Sequence, residues 1–100
     1  MSPQEAERFD AHIRLSILRL LSGAPAYRAN VNVLHSALAD FGLNASRDQI
    51  RTQLAWLEEQ RLVTTQDMMG LIVAELTERG QDAAAGTVTV PGVQRPGPGA

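Results

Sequence analysis

Arg47, Gln49, Arg51 and Thr52 fall within six consecutive residues of the stretch Ser46–Thr65, SRDQIRTQLAWLEEQRLVTT. The chemistry open to them is recognition. A guanidinium offers paired donors that suit a guanine edge or a phosphate, a glutamine amide suits an adenine edge, and a threonine hydroxyl suits either. Ser46 precedes them as a helix cap, and the free N–H groups of a capped helix start attract phosphate. Arg28 is a further base able to contact a nucleic-acid backbone. Asp48 can accept from cytosine or repel phosphate, and Glu58 and Glu59 lie further along, where such a helix would leave a groove. The alternative reading of the same face is a solvated helix surface of mixed charge.

No other constellation points to chemistry. The chain has no cysteine, which removes disulfides, thiolate catalysis and thiolate metal sites. His12 and His35 lack a second ligand at helical spacing, so both are expected at the surface or its boundary. There is no glycine-rich phosphate loop and no serine nucleophile with a nearby base. The expectation is a protein that is not an enzyme, with no metal and no cofactor. A length of 100 residues allows one domain, and 44% hydrophobic with 20% charged residues is ordinary globular composition. The formal net charge of −2 gives no general attraction to nucleic acid or to anionic membranes. Phosphate binding must therefore come from a local cluster, and every base available is an arginine. The most apolar region, IRLSILRLL, is short and interrupted by Arg14 and Arg19. It is neither a signal-peptide core nor a membrane span, so no membrane partner is expected and the cytoplasm is the default.

The elements that must position the cluster can be read from caps and periods. Ser2, Pro3 and Glu5 open a first helix that runs to about Ser22, with Phe9, Ile13, Ile17, Leu20 and Leu21 on one side. Gly23 and Pro25 end it. Asn30 or Asn32 caps a second helix whose stripe is Leu34, Ala37, Leu38 and Phe41. Gly42 stands where a left-handed residue is wanted, with Leu43 beyond it. Ser46 and Gln49 form a capping box for the third helix, whose stripe is Ile50, Leu54 and Leu57. Trp56, off that stripe, is expected to pack on the strands that follow.

From Leu62 the period changes. LVTTQ and LIVAEL read as a hairpin joined by DMMG, with Met68 and Met69 expected to cap its apolar face. An adaptable protein contact is the other reading of the two methionines. Thr77 caps a short helix in which Gly80 is a weak point. The prolines and glycines of TVTVPGVQRPGPGA leave no packed element after Val90. This divides the chain into a domain over 1–86 and an extended or disordered tail over 87–100, and truncation after Gly86 is expected to leave stability almost unchanged. Ala11, Leu15 and Leu18 make a second apolar stripe on the first helix. A helix apolar nearly all round is either the centre of its bundle or half of a seam. The seam reading gives a homodimer.

The order is three helices, a hairpin and a short helix: mainly α with a two- or three-stranded β element. FGLNASRDQIRTQLAWLEEQRLV resembles the helix-turn-helix and first wing strand of winged helix-turn-helix transcriptional regulators of the multiple-antibiotic-resistance and arsenical-resistance repressor kinds. LTERGQDAAAG resembles the Leu-Thr-x-x-Gly segment that follows their wing. The whole chain is also similar to small winged-helix proteins of Mu-like prophages. The resemblance implies double-stranded DNA as partner, the third helix in the major groove, a dimer built from the first and last helices, and transcriptional regulation in a phage or bacterium. Two departures stand out. Arg61 occupies the position before the first wing strand where the family usually has glycine, and nothing between Leu62 and Leu76 is basic. The alternative function is a winged-helix interaction or assembly module that does not bind DNA.

Overall fold

Ser2 starts the first helix as its residue type dictates. In the computed structural model, which describes residues 1–97, α1 spans Pro3–Ser22 and the Ser2 hydroxyl accepts from the Glu5 N–H at 3.2 Å. A short 3-10 turn, Pro25–Tyr27, leads into a brief strand, β1 (Arg28–Asn30). Asn30 then caps α2 (Val31–Asp40), its Oδ1 accepting from the Val33 N–H at 2.9 Å. Gly42, at φ +77°, turns the chain so that the Leu43 N–H returns to the Leu38 carbonyl at 2.9 Å. A side chain there would strain the left-handed backbone. Ser46 and Gln49 form the complete capping box that opens α3 (Arg47–Glu59).

The hairpin is longer than its apolar runs suggest. Strand β2 (Val63–Met68) pairs with β3 (Leu71–Leu76), and only Met69 and Gly70 connect them. Their φ values of 57° and 89° are both positive, which matches the right-handed twist of the strands. Asp67 Oδ1 accepts from the Gly70 N–H at 2.7 Å. On its other edge β3 pairs with β1, giving an antiparallel sheet in the order β1-β3-β2. Thr77 caps the last helix, α4 (Glu78–Ala85). The architecture of the described residues is therefore mixed α/β, with four α-helices and three strands, a layout compatible with the winged-helix expectation. Its core joins Ile13, Ile17, Leu18 and Leu21 of α1 to Leu34 and Leu38 of α2, Ile50, Leu54 and Leu57 of α3, and Val63, Ala74 and Leu76 of the sheet. Among the described residues, no helix is long and apolar enough to cross a membrane.

Several expectations change. Leu15 is 4% exposed and Leu18 is fully buried, and the Ala11 carbonyl accepts from the Gln94 N–H at 3.2 Å. The second stripe of α1 is thus covered within one chain, because α4 packs on α1 and the segment after α4 folds back along it. It is core, not a dimer seam. That returning segment has no helix or strand over 87–97, yet Val90 is 3% exposed within the core, and Val88 and Val93 pack against it. Prolines and glycines exclude regular structure but not docking. The structure places Trp56 against Gly92 and beneath Arg14, whose guanidinium carbon lies 3.9 Å from the ring centroid. The methionines do not cap the apolar face. Met69 sits at the turn tip with 104% relative exposure, and strand alternation, with Val63 buried, turns Met68 outward.

Candidate nucleic-acid interface

The exposed side of α3 is decided by its buried side. Ile50, Leu54 and Leu57 enter the core, and Gln53 is the one buried polar residue among those described. Gln53 links two helices and the returning segment. Its amide donates to Asp10 Oδ1 at 3.0 Å, and its Oε1 accepts from Arg14 Nε at 2.7 Å. Arg14 Nη1 donates in turn to the Gly92 carbonyl at 3.0 Å. Burial lowers the Arg14 pKa from the usual arginine value, and the Asp10 carboxylate opposes that shift. Every member of this network has a partner, which fixes the rotation of α3 about its axis.

Glu58 adds a second anchor. Its carboxylate accepts from the Thr65 N–H at 2.8 Å and from the Thr65 hydroxyl at 2.9 Å. Thr65 lies on β2, an edge strand, so the contact both ties α3 to the hairpin and blunts that edge. The C-terminal half of α3 is thereby held on two sides. Sequence reasoning saw Glu58 only as a surface acid, because its partner is a backbone group of a different element.

The N-terminal half presents the residues singled out for recognition. Arg47, Asp48, Gln49, Arg51 and Thr52 are all exposed. They are not equally free. Gln49 Oε1 accepts from the Ser46 N–H at 2.7 Å, and Ser46 Oγ accepts from the Gln49 N–H at 3.0 Å. Both side chains are engaged in the cap, so neither is poised for a ligand. Arg51 Nη1 donates to Asp48 Oδ1 at 2.8 Å, an ion pair along the helix surface. Arg47 Nε donates to Asn32 Oδ1 at 2.8 Å, which joins the starts of α2 and α3. Thr52 makes no side-chain hydrogen bond among the described residues. Asn32 was weighed from sequence only as a cap; with Asn30 in that role, it orients Arg47 instead. Arg28 stands apart on β1, opposite Glu75 of β3 and 3.5 Å from its carboxylate. The structure therefore gathers Arg47, Arg51 and Thr52 at one end of α3 and leaves Arg28 to the sheet.

Electrostatically the face is mixed. Arg47 and Arg51 are the only bases of α3, against Asp48, Glu58 and Glu59 on the same helix. The β2–β3 hairpin turn supplies Asp67, Met68 and Met69, and no base. Among the described residues, no group of His, Asp and Glu is placed to hold a metal ion.

The uncharacterized protein gp26 of Escherichia phage Mu is 47% identical over 85 residues, which cover 85% of this chain and 88% of that protein. An uncharacterized protein of Haemophilus influenzae (strain ATCC 51907 / DSM 11121 / KW20 / Rd) is 45% identical over 67 residues, covering 66% of this chain and 65% of the relative. No family model matches the chain. No solved structure matches it either. Identity at this level along nearly the whole of the phage protein settles kinship: the chain belongs to the same protein family as gp26 of phage Mu.

Proposed function

We propose that the chain is a small winged helix-turn-helix protein that binds double-stranded DNA, with α3 in the major groove, and acts as a transcriptional regulator of phage origin. The observation that carries this reading is the start of α3. A complete capping box holds a helix N-terminus open to solvent, with Arg47 fixed across to α2 by Asn32, and with Arg51 and Thr52 following on the exposed side. A recognition helix enters the groove by its N-terminal part, with backbone N–H groups and a neighbouring arginine suited to phosphate. The phage relative supports the origin. Occupancy of a site is the mechanism, without catalysis and in the cytoplasm where DNA is accessible. Any pairing of two copies uses a surface other than Leu15 and Leu18, which are buried in the protomer.

The test is a titration with genomic duplexes across a range of salt. The Arg51–Asp48 pair sets the expectation. Changing Arg51 to alanine should cost roughly 1–3 kcal/mol and relax preference at one base position. Arg47→Ala should weaken binding to all sequences and reduce the salt slope by about one unit. Asp48→Asn removes a phosphate-repelling charge and releases Arg51, so it should tighten binding. Failure of every duplex to bind more tightly than about 10⁻⁴ M at low salt would end the DNA reading.

One observation favours a second reading. Met68 and Met69 are exposed at a wing without a base, where a protein contact gains more than a DNA backbone contact does. On that reading the chain is a winged-helix assembly module. Methionine-to-serine changes at the wing would then abolish association with a partner protein and leave duplex titrations flat.

A further inference from the structure

We propose that the groove on the outer side of α1 docks an acidic amphipathic helix of a partner protein. The groove has a volume of about 490 Å³ and is lined by His12, Ser16, Arg19 and Leu20 of α1 and by Phe41 and Leu43 of the α2–α3 connection. Phe41 is 69% exposed, while Leu20 and Leu43 are half-buried against the core. A phenyl ring left in water beside two leucines is an apolar floor without a cover. It belongs to none of the residues proposed for DNA, so the inference does not rest on that reading.

Charge identifies the occupant. The chain carries a net charge of −2, yet Arg8, His12 and Arg19 recur at helical spacing along the exposed face of α1, with the last two lining the groove. The Arg19 guanidinium makes no ion pair among the described residues. His12 Nδ1 donates to Gln94 Oε1 at 2.9 Å, which leaves its Nε2 unengaged. Asp10 and Asp40, the acids nearest along the chain to its lining, do not line the groove, and Asp10 is engaged by Gln53. The Arg19 cation and the His12 ring beside an apolar floor complement a helix with leucine-like residues on one face and carboxylates on its flank.

Other occupants fit less well. The groove is only half enclosed, whereas small-molecule sites enclose most of their ligand. A second copy presents the same Arg19 and His12 and no carboxylate at this groove, so it offers no charge complement. A phosphodiester backbone would satisfy the arginines but leave Phe41 in water.

The experiment uses the full chain and a fluorescein-labelled synthetic helix with leucines at i, i+3, i+4 and i+7 and glutamates elsewhere. Two control peptides have the same composition scrambled, or lysine in place of glutamate. Anisotropy should show binding of the patterned acidic peptide at least about tenfold tighter than either control. Phe41→Ser and Arg19→Glu should each weaken it by about tenfold or more, while melting curves stay at the native position. Equal binding of all three peptides, indifference to either variant, or no binding up to millimolar peptide would overturn the proposal. So would displacement of the peptide by duplex DNA. A self-associated native protein that Phe41→Ser converts to a monomer in sedimentation would also overturn it, by assigning the groove to a second copy.

Discussion

Gly80 shows how one residue can be misjudged from helix propensity alone. Glycine inside a helix is ordinarily about 1 kcal/mol worse than alanine. Here a Cβ would overlap the Leu62 carbonyl oxygen and the Leu76 side chain, because α4 crosses the start of β2 in close contact. Thr77 secures the same crossing. Its hydroxyl donates toward the Arg61 and Leu62 carbonyls at 2.7 and 3.0 Å and accepts from the Gly80 N–H at 3.0 Å. Gly80→Ala should therefore destabilise by about 3 kcal/mol, reversing the sign that propensity gives. Urea unfolding measures it, and a stabilised variant would show that the crossing relaxes freely. Arg61, just before β2, is the counterpart: its φ of +62° is the backbone that makes glycine usual at this position in the resembling regulators. Among the residues at the head of α3, identity and exposure were legible in sequence, but engagement was not. That Arg51 meets Asp48 and Arg47 meets Asn32 depends on rotamers and on the approach of two helices.

At the scale of elements, the helices were legible because their caps and stripes are local. Ser2, Asn30, Ser46 and Thr77 each accept from a backbone N–H three residues on. Strand β1 was not legible: three residues, RAN, carry no alternating pattern, and only pairing with β3 makes them a strand. The link between α3 and the hairpin is likewise non-local. Replacing Glu58 by alanine leaves the Thr65 N–H without its acceptor and should cost about 1–2 kcal/mol. Hydrogen exchange at the Thr65 amide should accelerate by more than the global loss explains. Unchanged protection there would show that the carboxylate adds nothing to the edge.

Over the whole molecule, the segment after α4 closes the structure. Val90 fills the core, Gly92 lies where a Cβ would strike the Trp56 ring, and the Gln94 N–H meets α1 at Ala11. Truncation after Gly86 removes these contacts and uncovers part of the second apolar stripe of α1. Loss of Val90 alone is worth about 1.5–3 kcal/mol. With the hydrogen bonds to Arg14 and Ala11 gone as well, the melting temperature should fall by at least about 10 °C. A melting curve that stays in place would return the segment to the status of a dispensable tail. The sequence by itself determined the helices, their caps, the hairpin and the cluster at the head of α3, since each rests on chemistry within a few residues. Tertiary structure decided the rest: that Leu15 and Leu18 are core, that β1 joins the sheet, that Trp56 lies under Arg14, and that the irregular segment from Val88 to Gln94 docks. Each of these depends on which surfaces meet across long sequence separations, and a stripe of leucines reads the same whether its cover comes from its own chain or another.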